Sequence, residues 1–280
     1  MKVRIAVLGG GASGMMAAVT AARAGAEVLL IEHSSRIGKK ILSTGNGKCN
    51  FTNRNQRPEF YRSQDGDFPW KVIGQFGFQD TLSFFQGMGI VPKERNGYFY
   101  PAGGQASAVL DLFRLELEQL GVEVQCGIEI ERITPEKAGG FVLEGRSRSE
   151  DDGRQRRIRA DRVILACGGM AAPSTGSDGS GYGLVRQLGH RVTPVYPALV
   201  QLRCREGFYK ELAGIRTEAR VSLYIDGREE ARDQGEVQMT AYGISGIPVF
   251  QVSRYGAEAL AQGKQVEGVL DLAPSMSRKT

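Results

Sequence analysis

Apolar and polar positions change period several times along this chain, and each change marks an element. Val3 to Leu8 is a continuous, β-branched apolar run with the length of a strand buried on both faces, and it stops at Gly9-Gly10-Gly11. Ser13 to Arg23, rich in Ala and Met, predicts a helix with Gly25 as its C′ residue, and Glu27 to Ile31 predicts a second buried strand ending in Glu32. The opening is therefore a βαβ unit. Residues 38–53, GKKILSTGNGKCNFTN, then show neither the 3.6-residue period of a helix nor the alternation of a strand. Phe68 to Gly89 reads as one amphipathic helix, residues 89–102 as a strand pair around an Asn-Gly turn, and Gln105 to Leu120 as a helix stopped by Gly121. Strands follow at Val122 to Gln125, Ile128 to Ile133 and Phe141 to Leu143. The run DRVILACGG at 161–169 is a further buried strand leading straight into paired glycines; its small residues, Ala166 and Gly168 among them, suit a sheet edge that passes close to a ligand. Residues 176–182, GSDGSGY, open a helix with Ser177 or Asp178 as N-cap, and His190 falls near its end.

The glycine spacing in the first unit carries chemistry. Gly9, Gly11 and Gly14 form G-x-G-x-x-G between a strand and a helix. The first glycine permits the tight turn, the second lets the backbone approach a pyrophosphate, and the third lets helix pack on strand. The amides of Ala12 and Ser13 then face the phosphates, where the helix dipole also favours negative charge. Glu32 lies 23 residues beyond Gly9 at a strand end, where its carboxylate can accept hydrogen bonds from ribose hydroxyls and would repel a 2′-phosphate. A purely structural glycine turn needs no acid at that spacing, so dinucleotide binding is the expectation.

Composition refines this reading without redirecting it. At 280 residues, 41% hydrophobic and 24% charged, the chain has the makeup of a globular protein with a full core, in one large domain or two. Its apolar stretches fall short of a membrane span, and the first of them is broken by glycines without a secretory cleavage pattern. Cys49, Cys126, Cys167 and Cys204 are scattered, with no CxxC and no neighbouring His cluster, so neither a disulfide framework nor a metal site is expected and a reducing cytoplasm is the natural setting. Cys49 reads as a packing residue. The net charge of +5 points to anionic ligands, although much of it comes from 146–159, RSRSEDDGRQRRIR, where Glu150, Asp151 and Asp152 sit among arginines around an Asp-Gly turn. With no interleaved aromatics this is a solvated hairpin tip rather than a nucleic-acid patch.

Taken in order, GGGASGMMAA, GKKILSTGNGKCNFTN, GYFYPAGGQASAVLDLF, ILACGG, STGSDGSGYGL and TAYGISGIPVFQVSR resemble the BaiN-type family of FAD-dependent oxidoreductases, which includes aminoacetone oxidase. The likeness runs over essentially the whole chain. Lys48 stands where the family commonly has arginine, and Cys167 where threonine is usual. The resemblance implies an α/β fold: a discontinuous, Rossmann-like FAD domain of the two-dinucleotide-binding class over 1–191, an inserted β-rich substrate domain over 192–265, and the start of a helical domain at 266–280. It implies non-covalent FAD, with NAD(P)H as electron donor, and a small-molecule substrate; the chain's own composition and apolar lengths lead to the expectation of neither nucleic acid nor membrane as partner.

In families of this type the segment after the acidic strand end crosses beneath the cofactor, and this gives the stretch at 38–53 a meaning. Gly45 would allow close approach, while Lys39, Lys40, Ser43, Thr44, Asn46 and Asn50 would donate to phosphate, ribityl and flavin oxygens. A flexible surface loop favours the same residue types. His33 resembles the position beside the adenosine end, and Ile130, in IEIERI, resembles the strand residue whose backbone contacts adenine, although plain core would use it as well. Tyr242, Ser245 and Gly246 fall in the substrate domain and receive no chemistry; no catalytic residue is assigned.

Two classes of function follow. One is an FAD-dependent oxidoreductase that moves hydride between a small organic substrate or NAD(P)H and flavin N5. The other is a non-catalytic, Rossmann-type nucleotide-binding module. A dehydrogenase using NAD alone accounts for Gly9 to Glu32 but leaves 38–53 and ILACGG unexplained. In the family it resembles, the chain returns to the FAD domain through a strand, a glycine turn and a helix. None of these follows Gly246 here, so residues 1–280 alone are expected to hold FAD weakly, to aggregate and to turn over little.

Overall fold

The structure, a computed structural model, describes residues 2–63, 65–148 and 153–276. It divides into two compact units after Val192. In chain order the first unit runs β1 (Arg4–Leu8), α1 (Ala12–Arg23), β2 (Glu27–Glu32), β3 (Thr52–Asn53), α2 (Phe68–Ile73), α3 (Phe78–Gly87), β4 (Pro92–Arg95), β5 (Tyr98–Pro101), α4 (Ala106–Gln119), β6 (Glu123–Cys126), β7 (Ile128–Pro135), β8 (Phe141–Ser147), β9 (Gln155–Ala160), β10 (Arg162–Leu165) and α5 (Ser180–Gln187).

Four parallel strands in the order β10-β1-β2-β6 make its central sheet, with Val7 opposite both Ile164 and Leu30, and Leu30 opposite Val124. Alternation sends their side chains to both faces. Val7, Val28 and Leu30 meet Met15 of α1 and Leu110 and Phe113 of α4 on one side. Ala6, Leu8, Leu29 and Ile31 meet Ile128, Leu143 and Leu184 on the other. Because both faces are covered, β1 and β2 read as unbroken apolar runs. Each such Leu, Val or Ile contributes about 1.5–3 kcal/mol by burial, so the sheet fixes the loops at its C-terminal edge.

The segment read as one helix over 68–89 is two. α2 stops at Ile73, and α3 begins only after Gly77, whose N–H donates to Asp80 Oδ2 at 2.8 Å. Gly74 and Gly77 bracket the break, as residues of high backbone freedom do. β4 and β5 pair as read around Asn96-Gly97, both left-handed at φ 52° and 83°, the geometry of a two-residue hairpin turn. β7, β8 and β9 form an antiparallel sheet in which Ser147 N donates to Arg154 O at 3.0 Å; Glu150, Asp151 and Asp152 lie outside the described residues.

The second unit contains β11 (Leu202–Arg203), β12 (Arg216–Ile225), β13 (Arg228–Thr240), β14 (Gly243–Ser245), α6 (Ile247–Ala261) and β15 (Val266–Asp271). Its antiparallel sheet has the order β11-β14-β13-β12-β15, and Val249 and Val252 of α6 pack with Val221, Leu223 and Val237. Residues 266–271, expected to open a helical domain, instead form an edge strand that pairs Val266 with Ile225 and Leu270 with Val221. Val266 and Leu270 alternate onto the unit's core, which gives a strand, not a helix, something to bury. Among the described residues no helix is long and apolar enough to cross a membrane.

Candidate functional site

The glycine turn shows three different requirements for glycine. Gly9 has φ +105°, and a Cβ there would stand 2.4 Å from the Ala166 carbonyl oxygen. A Cβ on Gly14 would fall 1.7 Å from the Gly9 carbonyl oxygen, so the first turn of α1 can rest against the end of β1 only without a side chain. Gly11 differs: nothing lies within 4 Å of where its Cβ would be, because it faces an open groove. It is the N-cap of α1, a helix with no side-chain cap and no acid in its first turn, and Ala12 and Ser13 line the same groove. A bare helix N-terminus of this kind favours an anion.

One end of the groove is apolar. Leu8, Ile31, Ile130 and Leu184 form its walls, with Glu32 and His33 at the edge. Glu32, whose side chain is 12% exposed, accepts the Gly10 N–H at 2.6 Å on one oxygen and the Ser34 N–H at 2.7 Å on the other. A carboxylate offers about four acceptor positions, so these two bonds orient Glu32 and leave it capacity for a ligand's hydroxyls. The His33 ring lies between two acids, Nε2 3.6 Å from Glu32 and Nδ1 3.9 Å from Asp178. Glu129 is held by Arg148 in a two-point pair of 2.7 and 2.8 Å, whose hydrogen bonds keep its carboxyl below the usual carboxylate range.

The other end is cationic and built of small residues. Arg36, Lys39 and Lys40 line it beside Ala166, Gly168 and Ser177. Lys40 Nζ donates to Ser177 Oγ at 3.1 Å, and none of the three cations has an ion pair among the described residues. Cys167 lies between the ends, its thiol pushed up to about 11 by burial first and by the Glu32 and Asp178 charges next. It is therefore a neutral thiol at physiological pH and not a nucleophile. Among the described residues no group of His, Cys, Asp and Glu could hold a metal ion.

Of the residues expected to bind a cofactor, Gly9, Gly11, Ala12, Ser13, Glu32, Lys39, Lys40, Thr44, Ala166 and Gly168 line the central groove, and His33 and Ile130 its apolar end. Gly14 supports the groove from behind. Gly45 and Asn46, left-handed at φ 54° and 53°, face away from it into a second recess. Asn50 lies beside β5: with its amide turned to match its neighbours, its nitrogen donates to the Thr52 and Phe99 carbonyls at 2.9 and 3.2 Å, which ties the segment to that strand. Cys49 is buried, and burial raises its thiol, as befits a packing residue.

Several groove residues carry no signal in the local pattern. The Gly10 amide anchors Glu32, and a Cβ on Gly10 would lie 2.5 Å from Ile37. Ser34, Arg36, Gly176 and Ser177 also line the groove. The stretch 176–182 does more than start a helix. The N-cap of α5 is Gly179, left-handed at φ 84°, not Ser177 or Asp178; Asp178 accepts the Ser180 N–H at 3.0 Å, leaving Ser177 for Lys40. At Gly176, φ +94°, a Cβ would come within 3.0 Å of His33 Nε2. Four glycines packed into STGSDGSGYG were the available clue.

Residues 3–266 match the model of the HI0933-like protein Rossmann domain. The chain is 46% identical over 275 residues to a 3-dehydro-bile acid delta(4,6)-reductase of Clostridium scindens, an alignment covering 98% of this chain and 65% of that protein. It is 27% identical over 249 residues to a ribosomal RNA dihydrouridine synthase of Escherichia coli, covering 89% and 60%. The chain thus spans less than two thirds of the length of these curated relatives. Among solved structures, the open conformation of a flavocytochrome c3 fumarate reductase aligns with 77% of this chain and 47% of its own at a TM-score of 0.50 and 16% identity, a likeness of fold. With the glycine turn, the acidic strand end and the parallel sheet all inside the matched span, the chain belongs to the HI0933-like protein Rossmann domain family.

Proposed function

We propose that the groove of the first unit binds FAD and that the chain belongs to an FAD-dependent oxidoreductase acting on a small organic substrate. One observation carries the reading: a recess with apolar walls and an acidic acceptor adjoins, through the shared residues Gly9, Glu32, Cys167 and Gly176, a second recess lined by a bare helix N-terminus and cations, the pairing that an adenosine joined to a pyrophosphate would require. Glu32 would accept from the adenosine ribose hydroxyls, and Ile31, Ile130 and Leu184 would line the base. The Ala12 and Ser13 amides and Lys40 would hold the pyrophosphate, and Gly168, Thr44 and Lys39 would serve the flavin end. The donor set fits the group, since every element of it is a hydrogen-bond donor, a cation or an open glycine except at the ribose, where an acceptor is wanted.

FAD, once bound, supplies an acceptor and donor of hydride at N5. The chain's own part is to fix the dinucleotide's length and direction, neutralise its phosphates and keep water from the buried end. The 46% identical relative is named for reduction of an unsaturated bile acid, which supports an activated C=C in a small apolar molecule as the substrate class. The relatives named for ribosomal RNA make an RNA uridine the alternative substrate to test. The test has two stages. Protein purified with added FAD should show a bound-flavin visible spectrum that bleaches with NAD(P)H or dithionite; the bleached protein should reoxidise with an unsaturated keto-steroid acid and not with an RNA hairpin. Nucleotide bound without flavin would favour a non-catalytic module instead.

A further inference from the structure

The second recess of the first unit is a site of its own. The turn over residues 40–48 is a wall shared by two cavities: Thr44 and Lys40 face the groove, while Ser43, Asn46 and Lys48 face the recess. The β4–β5 hairpin forms the opposite wall. Strand alternation sorts that hairpin by charge. Lys93 and Arg95, two apart on β4, point to the recess together with Tyr100, which lies opposite Lys93 across the ladder. Glu94, the acid between them, points to the other face with buried Phe99 and is held there by Arg54 at 2.6 Å. The recess thus gathers three cations, Lys48, Lys93 and Arg95, none of which has an ion pair among the described residues. Gly103 and Gly104 complete the rim, and nothing lies within 4 Å of the place a Cβ would take on either.

We propose that this recess binds the phosphates of a reduced nicotinamide dinucleotide, with Lys48, Lys93 and Arg95 as the phosphate ligands and Tyr100 as an aromatic wall for a ring. The inference rests on the flavoprotein reading for its purpose, because the turn over residues 40–48 that lines this recess also lines the groove read as holding the flavin. Charge decides the ligand class: one carboxylate would be matched by a single cation, whereas three unpaired cations match a multiply charged phosphate. Size agrees. The recess has a volume of about 680 Å³, within the roughly 300–1,000 Å³ of small-ligand sites. A nucleic-acid backbone is instead tracked by cations spread along a surface.

Calorimetric titration of NADPH, NADH and inorganic pyrophosphate into the chain, with FAD in excess and again without it, tests the proposal. Lys93→Glu and Lys48→Glu should each lower dinucleotide affinity on the order of tenfold or more, Lys93→Gln by less, and high salt should weaken the wild type toward the variants. Lys137→Glu, at the exposed β7–β8 turn, should change nothing, and the FAD titration should be the same in all four variants. Loss of FAD binding with dinucleotide binding intact would count against the groove alone. Equal dinucleotide affinity in every variant, each shown to be folded by its circular dichroism, overturns the recess proposal, as does an RNA oligonucleotide that shows the charge-reversal loss while NADPH does not.

Discussion

The glycine turn at residues 9–14 and the polar turn at residues 39–50 border one groove and are built by opposite means. In the first, function is backbone: positions are fixed by atoms that would collide, such as the Gly9 carbonyl lying 1.7 Å from an imagined Gly14 Cβ. In the second, function is side chain: Lys39 and Lys40 are exposed, and among the described residues only Lys40 of the two has a direct partner, Ser177. The first should therefore fail abruptly when altered and the second by degrees. Steric overlap has no cheap relaxation, whereas an exposed cation loses only a screened interaction.

The largest effect is expected at Gly14. Gly14→Val should cost on the order of 3 kcal/mol of stability, because its side chain must displace the β1 carbonyl, and should abolish flavin retention. Gly11→Ala sharpens the contrast, since its φ of −79° and open surroundings accept a methyl group. Urea midpoints should drop for the valine variant and stay within about 0.5 kcal/mol for the alanine variant, which should nevertheless bind FAD more weakly. A stable, yellow Gly14→Val protein would contradict the steric account.

Glu32 stands between the two regimes. Glu32→Ala removes acceptors from two amides, Gly10 and Ser34, and should cost about 1–3 kcal/mol in stability as well as FAD affinity. Glu32→Gln keeps one acceptor oxygen and should recover part of both. Identical losses for Ala and Gln in chemical denaturation would assign the effect to charge alone.

Lys40→Ala should weaken FAD by roughly 1 kcal/mol and leave the unfolding midpoint nearly unchanged, as measured by flavin fluorescence titration and thermal melting. The smallest effect is at Cys167. Its neutral form is favoured in the fold, so its contribution to stability is complete below pH about 9, where the unfolded thiol is also neutral, and is lost as pH rises toward about 11. The melting temperature of the wild type should fall relative to Cys167→Ala across that window and run parallel to it below; parallel curves throughout would show that the thiol is not shielded.

The groove was legible where its chemistry is local in the chain. Gly9, Gly11, Gly14 and Glu32 announce themselves because strand, turn, helix and strand follow one another within a single βαβ unit and a short-range clash has a short-range spacing. The tie of Asn50 to β5 is not legible, because its residue type suits a ligand as well as a neighbouring carbonyl, and only the register of β3 with β5 brings Thr52 and Phe99 to it. The one-helix reading of 68–89 failed for a related reason: an apolar period survives across a glycine break that the backbone does not.

The sequence by itself determined the alternation of strand and helix, the two-sided burial of β1 and β2, and the placing of an uncapped helix N-terminus just after β1, because each depends on residues within a few turns of one another. The tertiary structure alone decided what meets across the groove. Lys40 finds Ser177 137 positions away, Cys167 comes to rest beneath Gly181, and β6 and β10 take the two edges of a sheet whose centre is β1 and β2. It also turned Lys93 and Arg95 to one face of a hairpin and Glu94 to the other, opposite a lysine from another segment. Periodicity records which face of its own element a residue occupies; which distant element that face meets is set by packing the whole chain.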